Sequence, residues 1–211
     1  MPIHKKYAKE ISKGIEAELR TRIFGSLDFM SRLDNDDDWS FVIKVQALIE
    51  AAVTEAVIAK VGEGAIQGIV ERLPLADKQV GKLALAKQLN LMSKEQLRFV
   101  RRMAELRNRL AHRVQDLNFN LSEYVDALDQ SQLRDWKESV AWFAIGRDDP
   151  QPWLQGAKEK PRLVLYFSVV MLLSLLHLAK VEAETPRKID AAALRTAEEL
   201  FASFAREPSN G

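Results

Sequence analysis

Residues 163–179, LVLYFSVVMLLSLLHLA, are apolar almost without a break, and this run limits the fold more than any other feature. As a helix it would be near the lower length limit for crossing a bilayer, about 17 residues. It carries Ser168, Ser174 and His177, and the chain has no second run like it. A helix apolar all round is also what the centre of a soluble bundle looks like. The expectation is therefore a buried core helix with no membrane attachment.

The remaining periodic stretches follow the helical template, and alternating strand patterns are scarce. A first helix is expected over residues 4–24, with Ile11, Ile15, Leu19 and Ile23 on one stripe. Gly25 and the acidic run at residues 34–38 break the pattern. No calcium-loop ligand set follows those carboxylates, so the last aspartates are read as caps for the next helix. That helix covers residues 39–61 and stops at Gly62 and Gly64. A short piece at 65–73 ends before Pro74. Asp77 is expected to cap a helix at 78–89, with Asn90 as a left-handed terminator. Ser93 and Gln96 have capping-box spacing and open a helix running to His112. Asn120 and Glu123 repeat that spacing ahead of a helix at 124–128, and another follows at 132–145. Residues 147–160, with Pro150 and Pro152, read as a loop, and the tryptophan- and proline-rich stretch around 142–153 reads as a packed surface loop or a partner contact. Pro161 favours the start of the apolar helix. Asp190 then caps a last, separate helix at 191–206. The whole is read as all-α, one domain over residues 1–211 with its core at about 39–180.

Composition narrows the function. The net charge is +1, so affinity for nucleic acid must come from a local patch. Cysteine is absent, which excludes disulfides and thiolate chemistry and fits a reducing cytoplasm. With His4, His112 and His177 as the only histidines, no metal or cofactor motif is legible. The N-terminus leads into a polar amphipathic stretch without the apolar core of an export signal.

Chemistry concentrates between Arg98 and Arg113. Arginines 98, 101, 102, 107, 109 and 113 stand there against one acid, Glu105. A guanidinium grips phosphate through a planar fork, so Arg101, Arg102, Arg109 and Arg113 are candidate RNA contacts. The plainer alternative is an exposed helix face with cations near its C-terminus, where the helix dipole favours them. Within the strip, Arg107, Asn108 and His112 are the candidate catalytic residues. Asn108 and His112 are four apart and share a face, so the amide can orient the imidazole. Arg107 and His112 are five apart, about 140° around a regular helix. They do not aim at one point on a straight helix, and a second copy of the helix from a dimer partner would resolve this. RNA carries its own nucleophile, the 2′-hydroxyl. A histidine to move the proton and an arginine to stabilise the phosphorane can therefore cut it without a metal.

The string Arg107-Asn108-Arg109-Leu110-Ala111-His112 resembles the signature of the HEPN superfamily, an arginine followed at short spacing by a histidine on a bundle helix. Residues 47–56 (ALIEAAVTEA) and 82–87 (KLALAK), which precede the motif helix, are similar to segments of its mannitol-repressor-like branch. The likeness covers residues 39–120, and the order of elements agrees to about Lys180. Residues 1–30 and the last helix lie outside it. The resemblance implies a HEPN-like helical bundle with additional N- and C-terminal helices. It also implies a homodimer whose two motifs form one composite cleft, and metal-independent endoribonuclease activity of the kind found in toxin–antitoxin and anti-phage systems. His112 would be the acid/base, Arg107 the phosphate stabiliser and Asn108 the orienting residue. Glu50 or Glu55 would either touch the cleft or serve the fold. The partners implied are RNA, a second copy, and an antitoxin or regulatory protein. The branch itself implies an alternative, a non-enzymatic transcriptional co-regulator acting through protein partners.

Overall fold

The computed structural model describes residues 36–204 except 63, 78 and 113–117. The expected first helix at residues 4–24 and the candidate Arg113 lie outside the described residues. All regular structure among the described residues is helical.

The first helix described, α1 (Asp38–Val61), opens at Asp37, whose carboxylate accepts from the Ser40 amide at 2.8 Å and the Ser40 hydroxyl at 2.7 Å. Gly62 closes it at φ 80°, donating its N–H to the Ile58 carbonyl. Phe41, Val42, Val45, Ile49, Val53 and Val57 are all buried. They point to several sides because α1 packs against four other helices. This corrects the sequence reading: α1, not the apolar run at 163–179, is the central helix.

A 3-10 turn at Gly64–Ile66 leads into α2 (Gln67–Arg72). Helix α3 (Lys82–Gln88) starts later than residue 78, and its N-cap is Gly81, not Asp77. The Asp77 carboxylate instead accepts from the Gln79 and Val80 amides in a turn. That turn folds the chain back so tightly that a Cβ on Gly81 would lie 2.5 Å from the Asp77 carbonyl oxygen. The first amides of α3 are then satisfied by the loop before it, Lys82 to Pro74 and Leu83 to Leu75. Asn90 follows at φ 54°, the left-handed terminator expected of it.

Helix α4 (Lys94–Ala111) carries the Ser93–Gln96 capping box and buries Leu97, Val100, Met103, Leu106 and Leu110. Asn120 caps α5 (Leu121–Asp126), which begins earlier than the expected 124. Asp129 and Gln132 form a capping box on α6 (Gln130–Val140), and a 3-10 turn at Trp142–Ala144 follows.

Residues 147–160 are not simply a loop: α7 (Gln151–Glu159) occupies most of the stretch. Its prolines sit before and within the first turn, where the missing N–H has no intrahelical partner to lose. Trp153 packs edge-on between Phe143 and Phe167, with ring centres 4.8 and 5.6 Å apart, so the aromatic residues are structural.

The last element, α8 (Pro161–Phe204), is one helix running through Pro186 rather than two. Just past that proline, Arg187 donates to the Ala59 carbonyl at 2.5 Å and the Lys60 carbonyl at 3.2 Å, at the C-terminal end of α1. This anchor holds the axis where the proline weakens it. Asp38–Arg162 at 2.6 Å, Glu55–Lys180 at 2.8 Å and the Arg187 anchor show α1 and α8 running parallel. Only one side of the apolar run is buried, by Val164, Leu165, Ser168, Val169, Leu172 and Leu176. The opposite side faces solvent.

Candidate active site

The motif lies at the end of α4, beside the starts of α1, α5 and α8. The Trp39 indole N–H reaches the Leu110 carbonyl at 3.4 Å, which fixes the last turn of α4 against the first of α1. One carboxylate joins the other two elements. Asp38 accepts from the Leu121 amide at 2.8 Å through one oxygen and from Arg162 at 2.6 Å through the other. Arg162 in turn stacks on the Phe41 ring, 4.7 Å from its centre. Sequence reading assigned the last aspartates of the acidic run to capping. Asp37 does cap α1, whereas the partners of Asp38 lie 83 and 124 positions away and leave no local pattern.

Arg107, Asn108 and His112 are all exposed. His112 is the C-cap of α4, at φ −100° and ψ 0°. The helix is regular up to Ala111, so the angular separation expected between Arg107 and His112 persists within one chain. The Asn108 carbonyl oxygen accepts from Arg107 at 3.1 Å, so the amide is engaged with the arginine rather than poised on the imidazole. Val100 and Ala104 are buried, while Arg107 and Ala111, on the same stripe, are exposed. One edge of the inward face of α4 thus leaves the core in the last turns and presents Arg107 outward, while Leu106 and Leu110 stay buried beside it.

The arginine strip divides in two. Arg98 pairs with Asp135 at 2.5 Å and Glu138 at 3.0 Å, and Arg102 pairs with Asp135 and with Glu105 at 3.3 Å. These acids belong to α6 apart from Glu105, so counting charges along α4 overstates its free positive charge. Arg102 is a tie between α4 and α6, which leaves it poorly placed for the RNA contact read from sequence. Arg109 lies over the Tyr124 ring at 5.2 Å. Arg101 and Arg107 form no ion pair among the described residues.

The glutamates considered for the cleft are elsewhere. Glu50 pairs with the buried Lys82 at 2.8 Å, and Glu55 with Lys180. Glu50 lies eleven residues beyond Trp39, about 16 Å along α1 at 1.5 Å per residue, and serves the fold. Among the described residues, no group of three histidine or acidic side chains is placed to hold a metal ion. Comparison of the chain with family models, curated proteins and solved structures finds no match.

Proposed function

We propose that this chain is a metal-independent endoribonuclease of the HEPN type, acting as a homodimer, with Arg107 and His112 at the reacting phosphate. One observation carries the reading. Arg98 and Arg102 are consumed by acids of α6, while Arg107 and His112 stand exposed at a helix end without an ion pair among the described residues. A guanidinium and an imidazole so presented are available to a ligand.

In the reaction, the imidazole of His112 takes the proton of the ribose 2′-hydroxyl, and the 2′-oxygen attacks phosphorus. The bond from phosphorus to the 5′-oxygen breaks, and that oxygen leaves with the proton that the His112 imidazolium returns, which restores the neutral imidazole. The products are a 2′,3′-cyclic phosphate and a 5′-hydroxyl. Arg107 balances the charge that builds on the non-bridging oxygens. Because the two side chains diverge by about 140° on one helix, they meet around a phosphate when two protomers abut at this end. Asn108, bonded to Arg107, restrains the guanidinium.

The test is cleavage of a fluorescent single-stranded RNA in the presence of a metal chelator. Wild type is expected to yield 2′,3′-cyclic ends, and His112→Ala to be slower by about 100-fold or more, the usual scale of general acid–base catalysis. An RNA with a 2′-deoxy position at the cut should resist. Cleavage undiminished in His112→Ala overturns the assignment. A wild type that binds but never cuts RNA, with a folded structure, returns the chain to the co-regulator reading.

A further inference from the structure

A cavity of about 320 Å³ opens between α4, α5 and α6, with Arg102, Arg109, Tyr124, Leu128, Gln132 and Trp136 in its walls. It adjoins the motif. Arg109 and His112 are three positions apart, so their Cβ atoms are about 5–6 Å from each other on the helix surface. Arg107 lies about 160° around the helix from Arg109 and is not part of the cavity. The cavity therefore belongs to the His112 side of α4.

Its walls suit a flat, polar ring. Trp136 is fully buried and its indole N–H is already bonded to the Ala157 carbonyl, so with Leu128 it supplies apolar surface. Tyr124 stands edge-on to Trp136 with ring centres 5.6 Å apart, and the Arg109 guanidinium lies over the Tyr124 ring. Arg102 is held by Asp135 and Glu105, which offset its charge and make the cavity a poor trap for a lone anion. Gln132 has one orientation. Its Oε1 accepts from the Asp129 amide at 3.1 Å in the capping box of α6, and a backbone N–H can donate only to that oxygen. The amide NH2 group is then the end left for a ligand, and it only donates. Apart from the Tyr124 hydroxyl, the polar side chains of the cavity are all donors.

We propose that this cavity receives one unpaired nucleobase, that of the nucleotide whose 2′-hydroxyl meets His112, and that it prefers uracil or guanine. The inference rests on the RNA-cleaving reading of His112 and names its substrate, a single-stranded RNA with a carbonyl-bearing base on the 5′ side of the cut. Splayed bases of single-stranded RNA stack on aromatic rings and guanidinium planes, which the Tyr124–Arg109 pair provides. A base carbonyl accepts from the Gln132 amide. Adenine has no carbonyl and turns an amino donor toward these donors. A volume of about 320 Å³ is at the small end for ligand sites, enough for one ring system and not for a stack.

The test measures binding in chelator by the full chain carrying His112→Ala, which holds RNA without cutting it. The probes are short fluorescent single strands of uridine, of adenosine, and of abasic ribonucleotides on the same backbone. Uridine should bind about 5- to 100-fold more tightly than the abasic strand, the scale of one stacked base. It should also bind at least five-fold more tightly than adenosine. Adding Arg109→Ala or Gln132→Glu should pull the uridine-to-abasic ratio toward one, and Gln132→Glu should also erase the preference over adenosine. Ratios cancel the change in charge that each substitution brings to backbone contacts. Arg109 is exposed and glutamate is an ordinary capping-box residue at position 132, so both variants keep the fold, which circular dichroism checks. A uridine-to-abasic ratio unmoved by either substitution overturns the proposal, and so does adenosine bound as tightly as uridine. The cleavage reading fails separately. A wild type that shows these ratios yet never cuts RNA keeps the base site and loses the reaction. One that cuts, with ratios unmoved by both substitutions, keeps the reaction and loses the base site. Absence of binding to every strand overturns both.

Discussion

Replacing Asp38 should loosen the end of the bundle that presents the motif, and the loss divides between two bonds. Its carboxylate accepts from the Leu121 amide at 2.8 Å and from Arg162 at 2.6 Å. A hydrogen bond to a charged group contributes about 1.5–3 kcal/mol, and a partly exposed ion pair about 0–1 kcal/mol. The Leu121 bond lies between elements and falls in the first class. With the Arg162 side chain 26% exposed, the ion pair falls toward the second. Asp38→Ala should therefore cost about 3 kcal/mol, which in a chain of this length lowers the melting temperature by about 6–12 °C. Asp38→Asn keeps an oxygen for the Leu121 amide and loses only the charge, so its cost is about 1 kcal/mol, or about 2–4 °C. Thermal melts followed by far-ultraviolet circular dichroism measure both. An asparagine variant as damaged as the alanine one would show that the ion pair, not the amide bond, dominates. An alanine variant that melts like wild type would refute the reasoning altogether.

Trp136 is fully buried and donates its indole N–H to the Ala157 carbonyl at 2.8 Å. Trp136→Phe strands that carbonyl and leaves a void, at a cost of about 2–4 kcal/mol in urea unfolding, and a loss below about 1 kcal/mol would contradict it. Asp37 titrates below the ordinary carboxylate value of 3.8, chiefly because the Ser40 hydroxyl and then the Ser40 amide donate to its ionised form. A lowered folded-state value means that its contribution is complete above about pH 4 and fades as pH falls below that value. The stability gap between wild type and Asp37→Ala should thus be flat from about pH 7 to 5 and narrow toward about pH 3. A gap that stays constant down to about pH 3 would contradict that account.

Much of the helical layout was legible because its signals are local. Ser93 with Gln96, Gly62 and Asn90 act on amides or dihedral angles within a few residues, and each stands where the sequence placed it. Misreadings arose where distant contacts outweigh local pattern. Asp190 suggested the cap of a separate last helix, but α8 runs on through Pro186 and Asp190, and Arg187 ties it to the end of α1. Pro150 and Pro152 suggested a loop, but first-turn positions tolerate them and Trp153 has a packed site between Phe143 and Phe167. The apolar run pointed to the wrong central helix, since a stretch apolar all round has no phase to show that only one side of it is buried. The broad burial of α1 decides that. At the candidate site, the sequence placed Arg107, Asn108 and His112 on one helix end. It could not reveal that Asp135 and Glu138, on α6, would draw Arg98 and Arg102 away.

The claim that a guanidinium and an imidazole from abutting protomers surround one phosphate is tested most directly by mixing two inactive variants. Arg107→Ala retains the imidazole, and His112→Ala retains the guanidinium. Co-expressed in equal amounts, they should form mixed dimers in about half of the population if exchange is random, each holding one of both groups in the shared cleft. The account predicts that RNA cleavage in chelator returns well above the level of either variant alone. A mixture as inactive as its parts, with mixed dimers demonstrated by differential tags, would contradict it.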